Sequence, residues 1–443
     1  MNEVISRFGL MDALMGLARE GAALEASVVT TFSLNAMFYE EVLLRAFERA
    51  GSRLNVLLVD ANQLAAALDD PLRRPRRAGR DYLLVPVDAG GAFHPKFVVL
   101  LSSKKPLIAV GSHNVTDCGY ARNDEVTVCW GHGSRGVPTA LLSSCLDFTI
   151  DWLRRSPGLR EMADEVSRRL TRLGEDAAKA DSASASFLGW RRGGPTLLDQ
   201  LDVLLRGVVQ RAWVVAPYFD TDLHFLNELV ARWRPREIVV GIQQHSALLL
   251  KPDLALPPIR FVDISAVDAT DADAGRHRSS FMHAKMLAVE TDQGLFVALG
   301  SPNASASAWM QDRGGNAEAA ILLEDALARQ AFEGLGLARL TDAPSLTPET
   351  LAEIAERSAK TRLQEEIEKS VAPVATIAAS ATARGWFLPG LPSAVCRRAF
   401  VIGDLEVALP GATFIPAEDG TELLPSATPL RAGSCGSMAT TVH

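Results

Sequence analysis

Apolar positions along this chain fall into short runs of strand length, and the runs alternate with stretches of helical periodicity. "ASVVTTFSLNAMFYEEVLLRAFERAGSRLNVLLVDANQ" reads as apolar strand, amphipathic helix, apolar strand, and "AWVVAPYFDTDLHFLNELVARWRPREIVVGIQQH" repeats the reading further on. "KFVVLL" and "PLIAVGS" predict the next two strands of the first unit, "KMLAVE" and "LFVALGS" those of the second, each pair ending at a Gly-Ser turn. Alternating strands and helices favour a layered sheet with helices on its faces. The predicted fold class is therefore α/β, built from two α/β/α halves. The expected divisions are residues 1–175 for the first half, 176–194 for a linker, 195–345 for the second half, and 346–443 for an accessory region. That region opens on a helix capped by Thr347 with Pro348 in its first turn, and continues as a small, partly β segment.

Polar residues recur with the same period. His94, Lys96, Gly111, Ser112 and Asn114 match His283, Lys285, Gly300, Ser301 and Asn303 at a constant offset of 189. Asn123 and Glu125 match Asn316 and Glu318 at an offset of 193, so the second copy carries four extra residues in that loop. A single His-x-Lys or Gly-Ser-x-Asn is ordinary surface or turn chemistry. The complete set, twice, in one order, marks a site.

The chemistry such a set suits is phosphoryl transfer. A phosphodiester needs a nucleophile, a proton for the departing oxygen, and donors for the non-bridging oxygens. Two imidazoles divide the first two tasks if the halves pack face to face. Lys96 and Lys285 would clamp the phosphoryl oxygens, helped by Asn114, Asn303, Ser112 and Ser301 on their turns. Glu125 and Glu318 are natural orienters of an imidazole. No His, Cys and carboxylate cluster has metal-ligand spacing, so neither metal nor cofactor is expected.

Composition narrows the setting. The 443 residues are 48% hydrophobic, enough for packed cores, and no apolar run reaches the roughly 18 residues of a membrane span. With no signal-peptide core at the N-terminus, the expected location is the cytoplasm, with no membrane partner. Five cysteines without CxxC pairing read as reduced core thiols. The net charge of −8 confines any polyanion site to local basic patches. Two are visible: Arg73, Arg74, Arg76, Arg77 and Arg80 upstream of His94, and Arg276 and Arg278 upstream of His283. Lying before both motifs, they suggest a track for a nucleic-acid backbone.

"HPK…GSHN…NDE" and "HAK…GSPN…NAE" resemble the paired motifs of the phospholipase D superfamily, over residues 20 to 340. The resemblance implies a pseudo-twofold phosphodiesterase fold with a shared central site, a phosphohistidine intermediate and no required metal. The family's usual order implies His94 as nucleophile and His283 as acid. The motif's Asp, five residues after the lysine, is replaced by Leu101 and Glu290, which weakens a lipase assignment more than catalysis. The wording is closest to restriction-type and helicase-associated nucleases, many found in prokaryotic defence systems. The reading is thus a metal-independent nuclease with nucleic acid as partner, DNA favoured over RNA, and a defence-system protein as a second partner class. The alternatives are a phospholipase or phosphatidyltransferase and a non-catalytic nucleic-acid-binding module. The oligomeric state is left open.

Overall fold

The computed structural model describes residues 4–6, 11, 14, 16, 23–69, 74–131, 136–156, 160–176, 179–180, 184–264, 281–310 and 315–369, and strand segments between 375 and 442. The first half is a seven-stranded sheet of β1 (Val4–Ser6), β2 (Ala26–Thr31), β3 (Leu54–Asp60), β4 (Leu83–Val87), β5 (Phe97–Leu101), β6 (Leu107–Gly111) and β7 (Val126–Trp130). Its spatial order is β1-β7-β6-β5-β2-β3-β4, with β2, β3 and β4 parallel and the rest antiparallel. A two-residue parallel pair follows, β8 (Val137–Pro138) with β9 (Lys179–Ala180).

The second half repeats the plan with β10 (Ala185–Gly189), β11 (Val209–Val215), β12 (Glu237–Ile242), β13 (Ile259–Asp263), β14 (Met286–Thr291), β15 (Leu295–Gly300) and β16 (Ala319–Glu324). The order is β10-β16-β15-β14-β11-β12-β13, again with the three strands of the crossover side parallel. Fully buried Val, Leu and Ile along β3, β5, β6, β14, β15 and β16 explain why these strands read as continuous apolar runs rather than alternating ones. One expectation is corrected. Ala185–Gly189 lies inside the predicted linker, yet it is the edge strand of the second sheet, antiparallel to β16.

The halves share one core. β6 and β7 lie against β15 and β16. An aromatic cluster fastens the helix Thr139–Arg155 of the first half to β10 of the second: Phe148 meets Phe187 at 5.7 Å between ring centroids and Trp152 meets Trp190 at 6.3 Å. Phe93 and Phe97 pack edge-on beneath them, at 5.6 Å from Trp152 and 5.8 Å from Phe148. Such pairs add about 0.5–1.5 kcal/mol each beyond their buried area. Beyond the halves, the helix Pro348–Lys369 is capped as predicted, Thr347 Oγ1 accepting the Thr350 N–H at 3.3 Å. The strand segments after it form two four-stranded sheets.

Of the three cysteines described, Cys129 and Cys145 are buried free thiols; Cys118 is exposed, contrary to the expectation of a core thiol. Among the described residues no helix is long and apolar enough to cross a membrane.

The Gly-Ser turns have a steric reason. A Cβ on Gly111 would lie 2.4 Å from Val126 O, and one on Gly300 2.4 Å from Ala319 O. The same two carbonyls accept the N–H of Ser112 and of Ser301, each at 2.9 Å. Gly300→Ala must therefore push β15 off β16, and should lower unfolding stability by about 1–3 kcal/mol. A urea midpoint equal to that of the unaltered protein would contradict this close approach.

Candidate active site

His94 and His283 lie just before β5 and β14, in extended segments whose backbone pairs with the opposite half. His94 N donates to Ala317 O at 2.9 Å and Ala317 N to Ala92 O at 2.8 Å; His283 N donates to Asp124 O and Asp124 N to Phe281 O, both at 2.9 Å. Each motif therefore sits beside the N-x-E element of the other copy. The consequence is an exchange. His94 Nδ1 is 2.9 Å from Glu318 Oε2, and His283 Nδ1 is 2.9 Å from both carboxylate oxygens of Glu125. With Nδ1–H donating to a carboxylate, each ring leaves Nε2 for chemistry.

The carboxylates are themselves held. Ser112 Oγ donates to Glu125 Oε2 at 2.5 Å, and Ser301 Oγ donates to Glu318 Oε2. Asn123 Nδ2 reaches Glu125 Oε1 and Asn316 Nδ2 reaches Glu318 Oε1, both at 3.2 Å. This corrects the expected role of the serines: their hydroxyls fix the glutamates rather than face a phosphate.

Lys96 and Lys285 are fully inside, and each Nζ donates to the carbonyl of its own histidine, at 2.8 and 2.6 Å. Two donors remain on each ammonium. Asn114 Oδ1 accepts the Ser33 N–H at 3.3 Å, whereas Asn303 Oδ1 is buried with no partner among the described residues. His113, inside the first Gly-Ser-x-Asn turn, is buried, bonded to Thr127 Oγ1 at 3.0 Å and edge-on to Tyr120.

Burial sets the electrostatics. It pulls His94 and His283 down to about 4, working against the raising effect of their glutamates, and it pulls Lys285 down to about 8. Lys96 is lowered well below its ordinary value, again chiefly by burial. Burial works to raise Glu125, but the His283 bond, His283 and Lys285 together hold it at about 2; Glu318 is lowered in the same manner by His94 and Lys96. Each imidazole feels the lysines of both halves, so the two motifs converge on one site. The two carboxylates stay ionised and the two imidazoles neutral at neutral pH, with both lysine side chains buried beside them.

The arginine loop is elsewhere. The site lies where β2 and β3 end: Phe32, the residue after β2, packs edge-on to His94 at 5.1 Å, and Asp60, the last residue of β3, accepts the Phe93 N–H at 2.8 Å. The loop leads through Asp81 and Tyr82 into β4, which is parallel to β3, and so enters the sheet at its other end, where Asn55 Nδ2 meets Asp81 O at 3.3 Å. That end is about 20 Å away at roughly 3.3 Å per strand residue. The loop is also pinned. Arg77 binds Glu48 at 2.6 Å and Asp81 at 2.7 Å, Arg80 binds Asp81 at 3.1 Å, and Arg74 Nε donates to Leu68 O at 2.5 Å. The backbone N–H groups of Arg76 and Arg77 donate to Glu40 Oε1 at 2.9 and 2.8 Å. Arg73, Arg276 and Arg278 lie outside the described residues. The positions of the missing motif Asp are equally remote: Leu101 is buried core, and Glu290 pairs with Arg211 at 2.7 Å.

Several site residues carried no signal in the sequence. Gln243 Oε1 accepts the Met282 N–H at 3.0 Å, as Asp60 does for Phe93, so one half-site has a carboxylate where the other has an amide. Phe281 flanks His283 at 5.7 Å, with Tyr218 beside it at 6.4 Å. Among the described residues no three His, Cys, Asp or Glu side chains are grouped to hold a metal ion.

No family model matches the chain, and no curated protein matches it. Among solved structures it is similar to the yeast tyrosyl-DNA phosphodiesterase, at 13% identity and TM-score 0.46, over 68% of this chain and 83% of that one. A polyphosphate kinase from Porphyromonas gingivalis matches at 12% identity and TM-score 0.43, over 82% and 53%. Nuc from Salmonella typhimurium, a phospholipase D family member, matches at 14% identity and TM-score 0.22, over 40% and 98%. At such values the likeness concerns the path of the chain alone, and the chemistry has to be read from the residues.

Burial of the two imidazoles makes a prediction about titration. An imidazole with its pKa lowered to about 4 stays neutral until the pH falls through that value. The unfolded chain, near 6.5, binds the proton first, so this source of stability is complete above about 6.5 and lost as the pH falls toward 4. Ring-proton NMR should show His94 and His283 titrating near 4; midpoints near 6.5 would contradict the burial that outweighs the two glutamates.

Proposed function

We propose that this chain is a phosphodiesterase of the phospholipase D type that cleaves nucleic acid, DNA in preference to RNA, through a phosphohistidine intermediate. The observation that carries this reading is the pair of imidazoles, each with Nδ1 held by the glutamate of the opposite half and Nε2 left open. Two such groups supply the nucleophile and the acid that a double displacement needs.

In the first step His94 Nε2 attacks phosphorus, the N–P bond forms, and the P–O bond to the leaving group breaks. His283 gives its Nε2 proton to the departing oxygen. The bound phosphate, an added anion, favours the protonated form of His283 that this step needs. In the second step water attacks phosphorus, His283 takes its proton, and the N–P bond breaks to release the phosphate product, leaving His94 neutral and His283 protonated as it was at the start. Lys96, Lys285, Asn114 and Asn303 meet the charge on the non-bridging oxygens, and Glu318 and Glu125 stabilise the imidazolium that each histidine becomes. Ser112 and Ser301 act through those glutamates. We assign the protein to the cytoplasm and to a prokaryotic defence or restriction setting.

The test offers labelled single-stranded DNA, duplex DNA, RNA and phospholipid vesicles to the protein. Cleavage of DNA, and loss of nearly all of it in His94→Ala and in His283→Ala, is expected, because the two groups act as one unit and their losses should not add. Hydrolysis of vesicles alone would return the protein to the lipid reading, and no hydrolysis of any substrate would favour a binding module.

Glu125→Gln separates the roles. With His283 as acid, its loss should slow an alkyl leaving group by about 10²–10⁴ and a p-nitrophenyl group far less, since the latter departs unprotonated. Read as release of the leaving group in a single turnover, which isolates the first step, equal losses on both substrates would contradict that assignment.

A further inference from the structure

The arginine loop that the sequence offered as a polyanion track is held by Glu40, Glu48 and Asp81, yet an acidic protein with a nucleic-acid substrate needs positive charge at the site's own edge. The structure supplies two such residues in a segment read as linker. β10 ends at Gly189, opposite Ala319, the first residue of β16, and Trp190 N donates to the Glu318 carbonyl at 3.2 Å. The next two residues, Arg191 and Arg192, therefore emerge beside the glutamate that holds His94. A turn closed by Gly194 N to Arg191 O at 2.8 Å, with Gly193 at φ +84°, directs the chain back. Arg192 then reaches the loop that leads to His94: its Nη2 lies 3.0 Å from where a Cβ on Gly90 would stand. Gly90 is itself at φ +84°, so the bare turn that receives the guanidinium also requires glycine.

No carboxylate among the described residues forms an ion pair with either guanidinium, whereas Arg77, Arg80, Arg206, Arg211, Arg232 and Arg260 are all paired. Arg192 is exposed and Arg191 half-buried. A planar guanidinium presents two parallel donors that match phosphate oxygens.

We propose that Arg191 and Arg192 form a second anion-binding site on the His94 side of the active site, which takes backbone phosphates next to the one being cleaved. The assignment rests on the phosphodiesterase reading above and deepens it, because it makes the substrate a polymer of phosphodiesters rather than a single one.

The test measures binding of a fluorescent single-stranded DNA oligonucleotide to the His94→Ala protein as a function of salt. Adding Arg191→Gln and Arg192→Gln should flatten the plot of log K against log salt by about 1.4, at roughly 0.7 for each phosphate no longer neutralised. If the two lines meet at 1 M salt, that is about a 25-fold weaker complex at 0.1 M. Arg76→Gln, exposed on the arginine loop beyond β4, should leave the slope unchanged, and thermal melting of each variant reports its folding. A slope unchanged by the double substitution, or flattened equally by Arg76→Gln, overturns the assignment. An oligonucleotide that fails to bind at all overturns it too. Hydrolysis of a small chromogenic diester by the unaltered protein, absent in His94→Ala, then shows that the phosphodiesterase reading survives without it.

Discussion

The structure depends on carboxylate–imidazole pairs exchanged between two halves of one chain. Glu318 belongs to the second copy and orients His94 of the first; Glu125 belongs to the first and orients His283 of the second. Neither half contains a complete histidine environment. Assembly of the site and docking of the halves are therefore the same event. Backbone bonds between 92–94 and 317, and between 124 and 281–284, set the register of that docking, and the aromatic cluster around Trp152 and Trp190 supplies its apolar part. The Gly-Ser turns belong to the same device. Glycine lets the neighbouring strand close in, and the serine after it fixes the glutamate that crosses over.

Near-symmetry of this kind leaves open how two equivalent histidines come to differ. The described residues break the symmetry at identifiable places. Asp60 holds the N–H before His94, while Gln243 holds the one before His283. Asn114 has a backbone donor for its side-chain oxygen and Asn303 has none. His113 packs into the first turn where Pro302 stands in the second. Asp60 is one of the groups whose charge bears on Lys96, so the two ammonium groups sit in unequal fields although their hydrogen bonds match.

Four strands of each half, β2, β3, β5 and β6 with β11, β12, β14 and β15, were legible because buried strands are apolar throughout, and the repeat made each half a check on the other. The His, Lys, Asn and Glu positions were legible for the same reason. What the sequence could not reveal was the crossing. Glu125 follows His94 in the chain but serves His283, and only the packing of the halves decides that. The arginines failed for a related cause. Residues 74–80 precede His94 by a short interval, but β4 runs between them and His94, and Glu40, Glu48 and Asp81 hold the loop. Arg191 and Arg192 fell inside the span 176–194 assigned to a linker, whose one strand is a partly exposed edge.

The exchange itself is open to direct observation. In protein labelled with ¹⁵N at histidine, Glu318→Gln removes the charged acceptor from His94 Nδ1 and leaves the Glu125 pair intact. The account predicts that the His94 ring nitrogens shift and those of His283 stay, with Glu125→Gln giving the reverse. A Glu318→Gln spectrum in which His283 moves and His94 does not would contradict it.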